Sequence, residues 1–327
     1  MPWLLTVIIV IALAFDFLNG LHDSSNIVAT MISSRALPPR TALGVTALAE
    51  FIGPFLFGVA VATTIGSEVV NPVAISSIVI IAALSSAIVW NLLTWYFGWP
   101  SSTSHALIGG LIGAVVVAEG FDTLRLAGLE KVLLALFVSP ILGLVLGYLM
   151  LKAIYFLTRG ATPRVNTLFK RAQWGTSVVL ALSHGTNDAQ KTMGIITMAM
   201  VTTGYLAEFR VPWWVIALSA GAISLGTLTG GWRLIKTLGA RFYKIRPVHA
   251  FGSQLTSAGI ILGAALLGGP ASTTQVVSSA IMGAGSADRV SKVRWTVARD
   301  IAVAWVLTIP AAAVMAAVLY LIVDLFV

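Results

Sequence analysis

Cysteine is absent from the sequence and charge is scarce: only 10% of the 327 residues are Asp, Glu, Lys or Arg, where a soluble globular chain carries about a quarter. The first absence excludes disulfides, thiol nucleophiles and cysteine-ligated metals. The second excludes a well-solvated surface. Also missing is a phosphate-cradling Walker sequence, so ATP-driven chemistry has no visible seat. The N-terminal stretch MPWLLTVIIVIALAF lacks the basic start and the small-residue cleavage site of a signal peptide, and reads as a retained first helix.

What is present is apolar. Hydrophobic residues make up 58% of the chain, with long runs over residues 41–66, 73–97, 132–157, 212–234 and 295–327. About 20 such residues suffice to cross a bilayer, so the chain reads as an all-α polytopic membrane protein. Its formal net charge of +8 fits loops beside anionic lipid better than a nucleic-acid surface. The lipid bilayer is therefore an expected partner and nucleic acid is not.

The sequence also repeats itself. GLHDSSN (residues 20–26) corresponds to GTNDAQK (185–191) at an offset of 165. Gly53, Gly58, Thr64 and Gly66 correspond to Gly226, Gly231, Thr237 and Gly239 at 173, and GWPSSTSHALIGG (98–110) corresponds to GGPASTTQVVSSA (268–280) at 170. Polar landmarks in the same order at nearly constant spacing indicate an internal duplication.

Charge supplies the orientation. Of the 20 basic residues, 16 fall in four groups: Arg35 and Arg40; residues 152–171; Arg233, Lys236, Arg241, Lys244 and Arg246; and residues 289–299. The positive-inside rule places all four in the cytoplasm. Suppose each half holds a broken span with the Asp motif, a full span, a hairpin around the Pro-Ser-Thr break and a last full span. The number of crossings is then odd and the second half is inverted. The expected organisation is a first membrane repeat at 1–157, a basic cytoplasmic linker at 158–173 and a second, inverted repeat at 174–327. Both termini then lie outside the cell (plasma or inner) membrane. Inverted repeats with broken helices and re-entrant-type hairpins are the build of secondary transporters, which work by alternating access around a midplane site.

The breaks have a physical reading. Non-helical chain at membrane depth is tolerated only where it lines a cavity or is buried in protein. Pro100 and Pro270 end one helix and suit the start of the next. Ser101, Ser102, Thr103 and Ser104, and in the second copy Ser272, Thr273 and Thr274, then occupy the first turn of a new helix. There the free N–H groups and the positive helix end favour an anion. Asp23 and Asp188 sit deep in apolar sequence, where ionisable residues are costly and functional by default. Asn19, Asn26 and Asn187 are their neighbours. A carboxylate beside an anion site repels the anion unless a cation or a proton lies between them. Carboxylate and amide oxygens, with backbone carbonyls freed by a helix break, suit a hard cation such as Na⁺. Asp23 and Asp188 therefore read as the coupling-ion side and the hydroxyl turns as the anion side.

Other polar residues leave alternatives open. Glu50 lies in a span, with Ile223 as its counterpart; it either binds a cation or proton or bonds to a neighbouring helix. Lys191 pairs either with a substrate anion or with Asp188. Asp16 reads as a helix-pairing residue. His22, His105 and His184 gather at the motifs, but their neighbours differ between the halves, which argues against a transition-metal site. His105 aligns with Gln275, which argues for hydrogen bonding over obligatory proton transfer.

These motifs resemble those of the inorganic phosphate transporter (PiT) family. GLHDSSN and GTNDAQK are similar to its paired Gly-x-Asn-Asp signatures, and PSSTSH and PASTTQ to its Pro-x-Ser-Thr-x-His/Gln signatures. The resemblance covers nearly the whole chain. It implies an all-helical fold with inverted repeats, cation-coupled uptake of inorganic phosphate, and usually a homodimer. By motif match, Asp23, Asn26, Asn187 and Asp188 lie at the ion and phosphate site, with residues 101–104 and 272–274. His22 stands where the family often has Asn, which leaves Na⁺ and H⁺ both open as the coupling ion. No other cofactor is expected. Two alternatives stand beside phosphate symport. One is symport of a related oxyanion such as sulfate. The other is an intramembrane enzyme with Asp23 and Asp188 as an acid/base dyad, which leaves the paired hydroxyl turns unexplained.

Overall fold

The computed structural model describes residues 2–72, 75–230 and 245–325. The basic residues Arg233, Lys236, Arg241 and Lys244, the repeat landmarks Gly231, Thr237 and Gly239, and the ends of the expected 73–97 and 212–234 spans lie outside the described residues. The helices are α1 (Pro2–Ser33), α2 (Pro39–Phe57), α3 (Ala60–Thr63), α4 (Ser77–Phe97), α5 (Thr103–Glu119), α6 (Leu126–Leu157), α7 (Val165–Thr202), α8 (Trp213–Thr229), α9 (Pro247–Leu266), α10 (Thr273–Asp288) and α11 (Trp295–Asp324). Five of them are long and apolar enough to cross a membrane. The fold is all-α, as expected.

The side chains are distributed for a lipid surround. Leu134, Phe137, Ile141, Val145 and Leu149 line the exposed face of α6, whereas Asp16, Asn19, Asp23, Glu50, Asp188 and Lys191 are fully buried. That reverses the usual partition of a water-soluble protein. Helix α7 is the extreme case. It has 38 residues, and every residue from Ser183 to Met200 is buried. At 1.5 Å per residue it is about 57 Å long, longer than a hydrocarbon core of about 30 Å.

Contacts between elements are reciprocal between the halves. Helix α1 packs on α8 and α7 on α2; α5 packs on α11 and α10 on α6. The reciprocity extends to single glycines. Gly20 lies against the backbone of Ile223, and Gly226 against that of Phe17. In the related pair, Gly185 lies against Glu50 and Gly53 against Leu182. A side chain at any of the four would collide with a carbonyl, so hydrogen is the only substituent these crossings admit. Pro140 in α6 and Pro310 in α11 are likewise matched by position. The two Asp-bearing helices run antiparallel: Ser34 bonds Gln173 (2.6 Å), and Asn19 near the middle of α1 bonds Asp188 (3.4 Å).

Three sequence expectations need correction. The Asp motifs do not break their helices: α1 and α7 run unbroken through residues 20–26 and 185–191. Neither motif contains proline, and Ser24 and Ser25 return their hydroxyls to the carbonyls of Leu21 (2.9 Å) and His22 (3.0 Å). No backbone carbonyl is freed there to ligate a cation. Second, the 41–66 run is interrupted. Helix α2 ends at Gly58 (φ +82), and the freed amides of Val61 and Ala62 donate to Gln190 Oε1 (2.8 and 3.2 Å). Third, the expected linker 158–173 is half helical, because α7 begins at Val165.

The Pro-Ser-Thr breaks are present where expected. Helix α4 ends at Gly98 in the left-handed conformation (φ +69) and α9 is followed by Gly268 (φ +74). The chain then passes Pro100 or Pro270 and re-enters helix at Thr103 and Thr273.

Candidate functional site

The two breaks meet. Ser102 is the N-cap of α5, where its hydroxyl accepts from the His105 amide (3.2 Å). Ser272 holds the equivalent position before α10, and its hydroxyl donates to that of Ser102 (2.7 Å). The N-termini of α5 and α10 are therefore apposed, each with a positive helix end and first-turn amides that point out of the helical ladder. Ser104 ties the turns together by donating to the Ala271 carbonyl (3.2 Å).

The carboxylates flank this junction with matched partners. Thr103 donates to Asp23 (3.4 Å), and its counterpart Thr273 donates to Asp188 (3.2 Å). Asn26, one turn after Asp23, donates to it (2.8 Å) and to Thr274 (2.9 Å); Thr274 also donates to Asp23 (2.8 Å). One turn after Asp188, Lys191 places its Nζ 2.8 Å from Asp188 Oδ1. Asn19 bonds Asp188 from the opposite helix. All of these residues are buried.

Two candidates are placed less simply. Ser101 turns away and bonds Thr94 (2.8 Å). Its counterpart is Ala271, which has no hydroxyl, so the sequence already contained that signal. Asn187 grips the second break: with its amide set to satisfy both ends, it donates to the Ala271 carbonyl (3.1 Å) and to Asp188 (3.1 Å) and accepts from the Ala271 amide (3.3 Å).

The centre of the cluster is His184, which the sequence placed at the motif without giving it a role. Its Nδ1 lies 2.7 Å from Glu50 Oε1, and its Nε2 lies 3.4 Å from Asp188 and 3.9 Å from Asp23. Glu50 thus joins the junction through His184. The ligand atoms of Asp23, His184 and Asp188 all lie within 4.8 Å of one another. The available signal was positional: His184 is the repeat counterpart of Asn19, and both sit four residues before their motif Asp. Chemically, the arrangement sets paired hydroxyl and amide donors beside paired carboxylates, in a buried interior where electrostatic interactions are stronger than in water.

The whole chain has clear relatives. It matches the model of the phosphate transporter family over residues 19–162 and 158–316. A probable low-affinity inorganic phosphate transporter of Bacillus subtilis (strain 168) is 44% identical over 327 residues, covering 98% of each chain. One from Rhizobium meliloti (strain 1021) is 45% identical over 324 residues, covering 98% of this chain and 97% of that one. Among solved structures, a sodium-dependent phosphate transporter matches at a TM-score of 0.91 and 25% identity, with 100% of both chains covered.

Proposed function

The chain belongs to the phosphate transporter family, and on that premise we propose that it imports inorganic phosphate by symport with a cation, Na⁺ or H⁺, across the cell membrane. It is a transporter and not an enzyme, so the acid/base dyad is set aside. The observation that carries the reading is the apposition of two helix N-termini at Ser102 and Ser272, whose hydroxyls lie 2.7 Å apart, between the carboxylates of Asp23 and Asp188. In this reading the anion is held by the first turns of α5 and α10 through Ser102, Thr103, Ser104, Ser272, Thr273 and Thr274. Asn26, Asn187 and Lys191 stand at the edge of the same site. Asp23 and Asp188, with Asn19 and the Glu50–His184 pair, form the side that takes the coupling ion.

The carboxylates also favour phosphate over sulfate. An ionised carboxylate only accepts hydrogen bonds. Monohydrogen phosphate has a proton to donate to it; sulfate at neutral pH has none. A buried acceptor left facing another acceptor costs far more than a missing methylene.

Alternating access is supported by the architecture. The halves pair reciprocally, and their Asp-bearing helices are antiparallel, as inverted repeats at 1–157 and 174–327 require. Four connections carry most of the positive charge. Described members of two of them meet, where Arg246 and Lys292 both pair with Asp288 (3.0 and 2.7 Å), and Tyr155, near the end of α6 that leads into a third, bonds Asp288 as well (3.4 Å). The test is uptake into proteoliposomes of the purified chain, with labelled phosphate or sulfate, under imposed Na⁺ and pH gradients. Phosphate accumulation that follows one of the gradients and resists excess sulfate is expected. Accumulation indifferent to both gradients rules out symport, and equal uptake of sulfate rules out the selectivity.

A further inference from the structure

The internal repeat brings out one difference between the two carboxylates. Each motif Asp has a partner three residues later on the same helix face. For Asp23 it is Asn26, whose amide nitrogen lies 2.8 Å from Oδ1. For Asp188 it is Lys191, whose ammonium nitrogen lies 2.8 Å from Oδ1. The partner nitrogens lie at the same distance from the matching carboxylate oxygen. One is neutral and the other carries a full positive charge. Lys191 is fully buried, second in size only to Phe15 among the fully buried side chains of the described residues, and Asp16, a further buried carboxyl, has Asp188 and Lys191 as its charged neighbours.

We propose that Lys191 is a tethered coupling cation: at Asp188 its ammonium does the work that a free cation does at Asp23. The inference rests on the symport reading and extends it, because it assigns the two halves unequal parts in coupling. An anion bound at the α5–α10 junction faces two carboxylates, and each repulsion has to be offset. At Asp23 the neighbouring donors are the neutral groups of Asn26, Thr103 and Thr274 together with the imidazoles of His22 and His184, so a cation drawn from solution completes the balance. At Asp188 the balance is completed by the chain itself. A side-chain ammonium has three donors and no acceptor. It therefore bridges carboxylate and oxyanion as a metal cation would, yet it is never released. The second half then adds no ion to the transport stoichiometry, and the energy drawn from the gradient per phosphate is smaller by one cation than in a site with Asn at both positions.

The test is to restore the symmetry. Lys191→Asn, which copies Asn26, and Lys191→Met, which keeps length but offers neither charge nor a ligand oxygen, are compared with wild type as full-length protein. Thermal stability in detergent is titrated with NaCl against choline chloride at constant ionic strength. Phosphate uptake is measured in proteoliposomes across the same Na⁺ range. For Lys191→Asn we expect a Na⁺-specific stabilisation larger than in wild type. Its apparent phosphate affinity should fall tenfold or more at low Na⁺, recover at high Na⁺, and show a Na⁺ order higher by one. Lys191→Met should lose affinity without recovery. The double variant Asp188→Asn with Lys191→Asn should lose the extra Na⁺ response, since no carboxylate remains to hold the ion. Equal loss in Lys191→Asn and Lys191→Met at every Na⁺ concentration overturns the proposal in favour of a direct anion contact. Unchanged affinity in both overturns it in favour of a structural ion pair. Wild-type uptake indifferent to imposed Na⁺ and pH gradients alike refutes symport instead, and the Na⁺ stability titration then decides the Lys191 site by itself.

Discussion

Ser102 and Thr273 belong to different halves of the chain and sit at one junction. Each offers a hydroxyl without a fixed charge, so removing either leaves the fold's charge balance untouched. A hydrogen bond to a charged group contributes about 1.5–3 kcal/mol. Ser102→Ala and Thr273→Ala should therefore each weaken phosphate affinity about ten- to a hundredfold, read as competition in equilibrium binding of labelled phosphate. Ser101→Ala serves as the contrast, because Ser101 bonds Thr94 instead (2.8 Å), and its affinity should stay within about twofold of wild type. Asp23→Asn keeps the size of the side chain and removes the charge. It should abolish accumulation against a gradient while phosphate-for-phosphate exchange across the liposome membrane persists at a reduced rate. Much of this site was legible from residues alone: Asp23, Asp188 and the two hydroxyl turns were visible because the duplication printed them twice. His184 was visible at its motif but its partners were not, since its place between Glu50 and Asp23 depends on the crossing of α1, α2 and α7, and no local pattern encodes a crossing. Lys191 was visible, but the sequence left its partner undecided; its ammonium lies 2.8 Å from Asp188.

At the scale of elements, length and hydropathy served the lipid-facing helices and failed the central one. Helix α6 announces itself by composition. Helix α7 does not, because its polar residues face protein on every side, and it is not among the helices apolar enough to cross. The helix breaks were legible where proline marks them and not where glycine does: the end of α2 at Gly58 fell inside an apolar run. The continuity of α1 through its Asp motif was misread because the motif was expected to supply backbone ligands. The glycine crossings give a sharp test. Gly226→Ala should drive a methyl into the Phe17 carbonyl, and overpacking of this kind costs about 1–3 kcal/mol. Gly221 lies on the same helix with open space around it, so Gly221→Ala should be neutral or slightly stabilising, given the better helix propensity of alanine. Thermal unfolding of the two variants in one detergent checks the difference; equal melting temperatures would show that α1 and α8 can separate without loss.

At the scale of the whole molecule, sidedness follows from the distribution of charge. Both termini are expected outside and the 158–164 connection inside. The chain has no cysteine of its own, so a single cysteine at position 2 or at position 164 is an unambiguous reporter. The two should react with a membrane-impermeant thiol reagent from opposite faces of oriented vesicles, and labelling from the same face would remove the inverted arrangement. The reciprocal packing of α1 on α8 and of α7 on α2 has a further consequence, for how the protein is made. When the ribosome has finished α6, Asp23 can already meet Thr103 of α5, but the partner of Asn19 on α7 and the α8 surface against which α1 packs do not yet exist. The newborn first half must wait in the bilayer with its polar stripe partly uncovered, screened by the insertion machinery or by water, until the second half arrives to claim it. Neither half is a unit of biogenesis: expressed alone, residues 1–160 should be degraded, and expressed together with residues 161–327 from a separate message, they should be rescued.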